Sequence, residues 1–146
     1  MNGIQELKTL EYVQNANPLI GTEIKRSRNK HKFYVYIYLD PRKPGNYIYD
    51  NYQFDFEPIY VGKGQQNRFA LNFHLKGRTK IKTKIIKIKE TGMDVIIQFI
   101  KQGMSEDTAF QLEKQLISLI RRSDLQQGPL CNLTDGGEGA SGLLFS

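Results

Sequence analysis

The residues with the clearest capacity for chemistry stand together at Tyr60-Val61-Gly62-Lys63, with Arg68 shortly after. A phenol, an ammonium and a guanidinium gathered at the end of one strand can bind an anion and move a proton. A second phenol, Tyr36, shares a sheet face with Tyr60 if their two strands pair antiparallel. The competing reading is that both tyrosines are strand-packing residues and nothing more. Farther along, Glu113 falls in the middle of an apolar stripe formed by Ala109, Leu112, Leu116, Ile117 and Ile120, at about 100° of rotation per helical residue. Taking a carboxylate out of water costs on the order of several kcal/mol, so an acid on a core-facing stripe calls for a cation, a metal ion or a proton. An ion pair with a nearby lysine answers that need as well as a metal does.

The elements that must position these residues follow from periodicity. Phe33, Val35, Ile37 and Leu39 alternate with Tyr34, Tyr36 and Tyr38, which predicts a strand with two usable faces and therefore a central one. The Pro-, Gly- and Asn-rich stretch from Asp40 to Asp55 reads as a long hairpin connection rather than an element. A second strand is expected at Pro58 to Val61, ending in a positive-φ turn at Gly62-Lys63-Gly64, with a helix from about Asn67 to about Leu75. Lys80 to Glu90 fits a helix through Ile81, Ile85 and Ile88 and a strand through its Lys-Ile alternation; the helix is the preferred reading. Val95 to Ile100 reads as a third strand. The last helix, Ser105 to Arg122, has Ser105 as N-cap, Glu106 and Asp107 in its first turn and Arg121 with Arg122 in its last, as the helix dipole favours. A short helical stripe at Ile4, Leu7 and Leu10 opens the chain, in an N-terminal arm over residues 1–31, and residues 138–146 read as a flexible tail.

The 146 residues, 39% hydrophobic and 25% charged, exclude a disordered, collagen-like or disulfide-stapled chain, and suit one domain with a proper core. With Cys131 as the sole thiol and no long apolar run, a cytoplasmic protein without a membrane partner is expected. Cys131 itself reads as a small buried hydrophobe. The net charge of +6 is concentrated: residues 63–90 hold nine basic side chains against Glu90, a local +8, leaving −2 for the rest. A solvated helix face is the plain explanation. Backbone phosphate is the sharper one, with Lys76, Arg78, Lys80, Lys82, Lys84 and Lys87 as contacts and Phe69 and Phe73 beside them. Lys25, Arg26, Arg28, Lys30 and Lys32 form a second basic cluster.

Tyr34-Val35-Tyr36, Ile59-Tyr60-Val61-Gly62-Lys63, Arg68, Glu113 and Asn132, in this order and spacing over roughly residues 32–137, resemble the motifs of the GIY-YIG nuclease family. The resemblance implies an α+β fold, a small three-stranded antiparallel sheet flanked by helices. It also implies hydrolysis of a DNA phosphodiester, with one divalent ion, to 5′-phosphate and 3′-hydroxyl ends. Glu113 would then be the metal ligand, and an oxygen-ligand site of that kind suits Mg²⁺ or Mn²⁺. Arg68 would contact the scissile phosphate, and Tyr36 or Tyr60 would take the proton from the attacking water. A phenol titrates near 10, so that role asks for a neighbouring cation such as Lys63. Asn132 resembles the asparagine that closes the site by hydrogen bonding, and His74 the histidine that relays a proton in some relatives.

Two departures stand out. Tyr34 occupies the position of the family's first glycine, a change some branches share. His74 lies six residues after Arg68 rather than the four that would place the two on one helical face, and a solvated or packing histidine is the preferred reading for it. Residues from Asn132 to Gly142, with Phe145 and Ser146, are similar to the junction after which phage homing enzymes continue into small DNA-binding modules. A separated catalytic domain and a free-standing nuclease with little sequence preference both fit. The main expectation is a DNA endonuclease, with a monomer favoured. The rival is a non-catalytic nucleic-acid-binding module of the same fold, and a protein-interaction domain is the third reading.

Overall fold

The computed structural model describes residues 31–136. The helical stripe near the N-terminus, the basic cluster as far as Lys30 and the C-terminal tail fall outside the described residues. Three strands form one sheet: β1 (Phe33–Tyr49), β2 (Tyr52–Gly64) and β3 (Ile96–Met104), in the order β2-β1-β3 with both pairings antiparallel. Two helices flank it, α1 (Lys80–Glu90) and α2 (Glu106–Ile120). The expected α+β architecture is the one observed.

The alternation in β1 decides the layering. Phe33, Val35, Ile37 and Leu39 face α2 and pack with Val61, Met104, Ala109, Leu116, Ile117 and Ile120. Tyr34, Tyr36 and Tyr38 face the other way and pack with Ile59, Phe99 and the isoleucines of α1, Ile81, Ile85 and Ile88. Each fully buried aliphatic side chain stabilises the fold by roughly 1.5–3 kcal/mol, so both faces of β1 are committed to cores. Burial of those three isoleucines selects helix over strand for α1. Thr79 starts that helix by accepting the Lys82 N–H at 3.3 Å, and the Thr91 hydroxyl closes it on the Ile88 carbonyl at 2.6 Å.

Several sequence expectations need correction. The stretch from Asp40 to Asp55 is not a loose connection: β1 and β2 continue through it to a turn at Asp50 and Asn51, between paired Tyr49 and Tyr52. Its turn-forming residues Pro44, Gly45 and Asn46 sit at register shifts, and Phe54, with Tyr47, Tyr49, Tyr52 and Phe56, supplies the packing that holds the ribbon. Gly62 and Gly64 likewise belong to β2 and have no positive φ. The helix expected from Asn67 is absent; residues 65–70 form turns and only Leu71–His74 make a short 3₁₀ helix. Finally, α2 ends at Ile120, and Arg121 and Arg122 lie beyond it rather than in its last turn. Its start is as expected, with the Ser105 hydroxyl accepting the Thr108 N–H at 3.2 Å.

Candidate active site

The tyrosine face of β1 is built to hold the segment that follows β2. Tyr34 donates to the Gln66 carbonyl at 2.7 Å and accepts the Phe69 N–H at 3.1 Å. Tyr38 donates to the Phe69 carbonyl at 2.6 Å. These bonds take up backbone groups that a helical ladder would need, which is why residues 65–70 turn instead of coiling. Arg68 is carried on the turn, exposed, with its guanidinium carbon 5.0 Å from the centre of the Phe73 ring.

Tyr36 lies between its two neighbours and reaches His74, with 3.2 Å between the hydroxyl and Nε2. The His74 ring also packs edge-on against Tyr60, 4.7 Å between ring centres, and against Tyr38 at 5.4 Å. The preferred sequence reading of His74 as a solvated or packing residue is therefore incomplete: the ring packs, and it also bonds Tyr36. Its six-residue spacing from Arg68 is no obstacle, since the segment between them is not a helix. Gly62 makes room for this pair. It stands opposite Tyr36 in the β1–β2 register, and a Cβ there would run into the Tyr36 ring and hydroxyl. Gly64 clears Tyr34 and Arg68 in the same way, with a Cβ falling 3.0 Å from Arg68 Cβ and 3.3 Å from the Tyr34 ring.

The electrostatics follow from burial. Desolvation, then the neighbouring phenols Tyr60 and Tyr38, hold Tyr36 well above the usual tyrosine range. Tyr38 is raised by burial and then by Tyr60. Tyr60 is raised by burial and then by the negative charge of Glu113. Tyr34 is pushed up to about 12 by burial, a rise that its bonds to the Arg68 turn partly offset. All four phenols carry their protons at neutral pH. His74 moves the other way, lowered to about 4 by burial and then by the Arg68 charge, so its ring is neutral at pH 7.

Tyr36, Tyr60, His74 and Arg68 thus converge on one side of the sheet, with Glu113 near Tyr60. Glu113 projects from α2 half-buried rather than core-facing, at the edge of the stripe. Lys63 does not join them. It pairs with Val35 across the strands and so points to the opposite face, with its ammonium over the Phe33 and Phe110 rings at 4.9 and 4.1 Å and 3.3 Å from Glu106. Among the described residues, Arg68 is the cation whose charge acts on Tyr34 and His74. Asn132 lies at the outer edge of β2, where it accepts the Val61 N–H at 3.0 Å and donates to the Val61 carbonyl at 2.8 Å. Cys131 N–H adds a bond to the Ile59 carbonyl at 2.7 Å. Together they cover an open strand edge and fix the backbone between Tyr60 and Gly62.

The α1 lysines line a groove of about 750 Å³ that includes Arg78, Lys80, Lys82, Lys84 and Lys87. Lys76 stands exposed outside it. Cys131 is at the wall of the groove, next in the chain to the clamp on Val61. Two residues that matter to the site escaped the sequence reading, the hydroxyls of Tyr34 and Tyr38. The alternation that marks them as strand residues was visible, but their partners are backbone groups of a turn whose course the sequence does not reveal.

A three-stranded antiparallel sheet that brings together a tyrosine pair, an arginine turn and a helical glutamate defines the GIY-YIG fold, whose members are generally nucleases. The family model described as the LEM-3-like GIY-YIG domain matches residues 33–136, and the chain belongs to that family. Searches of curated proteins and of solved structures found no significant match.

Proposed function

We propose that this GIY-YIG domain is a divalent-metal-dependent DNA endonuclease that leaves 5′-phosphate and 3′-hydroxyl ends. The observation that carries the reading is the hydrogen bond between Tyr36 and a neutral His74, in a cluster that also contains Tyr60 and Arg68. Arg68 holds the scissile phosphate, since a guanidinium can donate two parallel hydrogen bonds to its oxygens. Tyr36 takes a proton from the attacking water while its own proton passes to Nε2 of His74, in the tautomer with Nδ1 protonated. The water oxygen bonds to phosphorus, the bond to the 3′ oxygen breaks, and that oxygen takes a proton from solvent. This relay answers the high proton affinity of the phenol, because no free phenolate has to form beforehand. Negative charge on the bound phosphate also raises the proton affinity of His74, making it a better acceptor when substrate is present.

Glu113 is the residue that would hold Mg²⁺ or Mn²⁺. Among the described residues no group of three His, Cys, Asp or Glu side chains could hold a metal. One carboxylate with the remaining positions left to water and phosphate oxygens fits Mg²⁺, which keeps several waters and needs few protein ligands. An ion held by Glu113 would supply positive charge to stabilise the phosphate. Tyr60 packs edge-on against His74 and helps to hold its ring in place. Asn132 is a positioning residue acting through Val61. Lys76, Arg78, Lys80, Lys82, Lys84 and Lys87 bind the DNA backbone along α1 and the segment that leads into it.

The rival, a binding module without chemistry, gains support from the four protonated phenols. A labelled duplex incubated with Mg²⁺ or with EDTA decides between them. The proposal predicts metal-dependent fragments that a ligase and a polymerase both accept without prior end repair. Retarded but intact DNA under Mg²⁺ and Mn²⁺ alike contradicts it.

A further inference from the structure

A second basic pocket lies at the C-terminal end of α2. A cavity of about 270 Å³ is lined by Lys114, Ser118, Arg121 and Gln127, with Arg122 and Asp135 on its wall. Arg122 and Asp135 are committed to each other at 2.8 Å, and Arg122 also forks onto Asp124 with contacts of 2.9 and 2.7 Å. Lys114 and Arg121 are different. Both are exposed, neither has an ion pair among the described residues, and both line this cavity, Lys114 from α2 and Arg121 from the residue that follows it.

Arg121 is held in an unusual conformation. Its φ of +81° and ψ of 155° belong to a region that glycine alone enters without strain. Its N–H donates to the Ile117 carbonyl at 2.8 Å and its carbonyl accepts from Leu130 at 3.1 Å. Gly128 packs so tightly on the Ile120 and Arg121 carbonyls that a Cβ there would overlap them. A glycine at 121 could make the same backbone bonds unstrained. What arginine adds at this position is its side chain, directed at the cavity beside Lys114.

The pocket also adjoins the candidate metal ligand. Asp135 lines it, and the next residue, Gly136, sits where a Cβ would lie 3.3 Å from Glu113 Cγ and 3.4 Å from Lys114 Cα. Along α2, Glu113 and Arg121 are separated by about 12 Å, at a rise of about 1.5 Å per residue. At about 3.4 Å of axial rise per nucleotide, that is the span of three to four phosphates.

We propose that Lys114 and Arg121 form a phosphate subsite for the nucleic-acid strand being cut, a few nucleotides from the scissile bond. The proposal rests on the nuclease reading and extends it, because it sets the direction in which the strand leaves Glu113: along α2 towards its C-terminal end, where Ser123 also borders the α1 groove. Two cations with two polar side chains suit a backbone phosphate, the one acid of the lining, Asp135, being paired with Arg122. A phosphate contact of this kind positions the strand without reading its sequence.

The test is fluorescence anisotropy with a labelled duplex in EDTA, over a range of NaCl concentrations, for the wild type, Arg121→Gly and Lys114→Gln, with a thermal melt of each. The wild type should bind with a steep salt dependence. Each substitution should flatten the slope of log K against log salt by about 0.9, the value for one phosphate contact, and weaken binding several-fold. Arg121→Gly should melt at or above the wild-type temperature, because it removes a strained side chain while keeping the backbone bonds. Wild-type affinity and slope in both variants would overturn the subsite and leave the nuclease reading intact. A lowered melting temperature for Arg121→Gly would show that the position serves the fold, and overturns the subsite too. Absence of DNA binding by the wild type itself removes the nuclease reading first.

Discussion

The Tyr36 hydroxyl lies 3.2 Å from Nε2 of His74, joining the central strand to a 3₁₀ turn 38 residues farther along the chain. If the pair moves the water proton, Tyr36→Phe should lower kcat by about 10²–10⁴-fold with little change in KM, the usual range for general acid–base catalysis. Tyr60→Phe keeps the ring against His74 and should cost far less. Single-turnover cleavage of a labelled duplex compares them, and equal losses would deny Tyr36 a special role.

His74 also makes stability depend on pH. In the unfolded chain it titrates near 6.5. In the fold burial, with Arg68, lowers it to about 4. The folded state therefore favours the neutral ring, so its contribution is complete above about 6.5 and is lost as pH falls towards 4. The full difference corresponds to about 3 kcal/mol, and the partial exposure of the ring reduces it to about 2. Urea midpoints at pH 7.5 and 4.5 measure it: His74→Gln should show a smaller loss on acidification than the wild type.

How much of this was legible in the sequence depended on parity and period. The alternation from Phe33 to Leu39 gave a central strand with two faces, because both sets of side chains are large and apolar enough to be buried. Helical rotation put Glu113 in the middle of the apolar stripe, whereas it is half-buried at the edge, because the stripe is narrower than the count of apolar side chains suggests: Leu112 is itself only half-buried. Lys63 was misplaced although parity argues against it: it stands three positions after Tyr60, an odd step, which puts the two on opposite sides of a strand. His74 was discounted by applying a helical spacing to a segment that tyrosine hydroxyls hold in turns. The long hairpin was hidden because Pro44, Gly45 and Asn46 signal a loop, whereas here they occupy register shifts in a ribbon packed by aromatic side chains.

Gly62 supplies clearance, not a turn. Gly62→Ala sets a methyl group against the Tyr36 ring, so either the ring or β2 must shift. A destabilisation of about 1–3 kcal/mol is expected from such overpacking. Activity should fall further than stability explains, because the displaced ring is the one bonded to His74. Thermal melts alongside cleavage rates at a temperature where the variant is fully folded separate the two effects.

Asn132 holds both polar groups of Val61. Asn132→Leu leaves a buried N–H and carbonyl without partners and should cost about 2–4 kcal/mol. Asn132→Asp restores only the bond to the N–H and sets a carboxylate against the Val61 carbonyl, so it should not rescue stability. Chemical denaturation of the three proteins checks the order, and an aspartate variant as stable as the wild type would contradict the two-bond clamp.

The central claim is that Glu113 makes this domain a metal-dependent nuclease. The direct measurement is relaxation of supercoiled plasmid by the wild type and by Glu113→Gln, with Mg²⁺ and with EDTA, while DNA binding is followed in parallel. The account predicts cleavage by the wild type only with Mg²⁺, and a Glu113→Gln protein that binds DNA as the wild type does but leaves the plasmid supercoiled. Cleavage by Glu113→Gln at the wild-type rate, or by the wild type in EDTA, would contradict it.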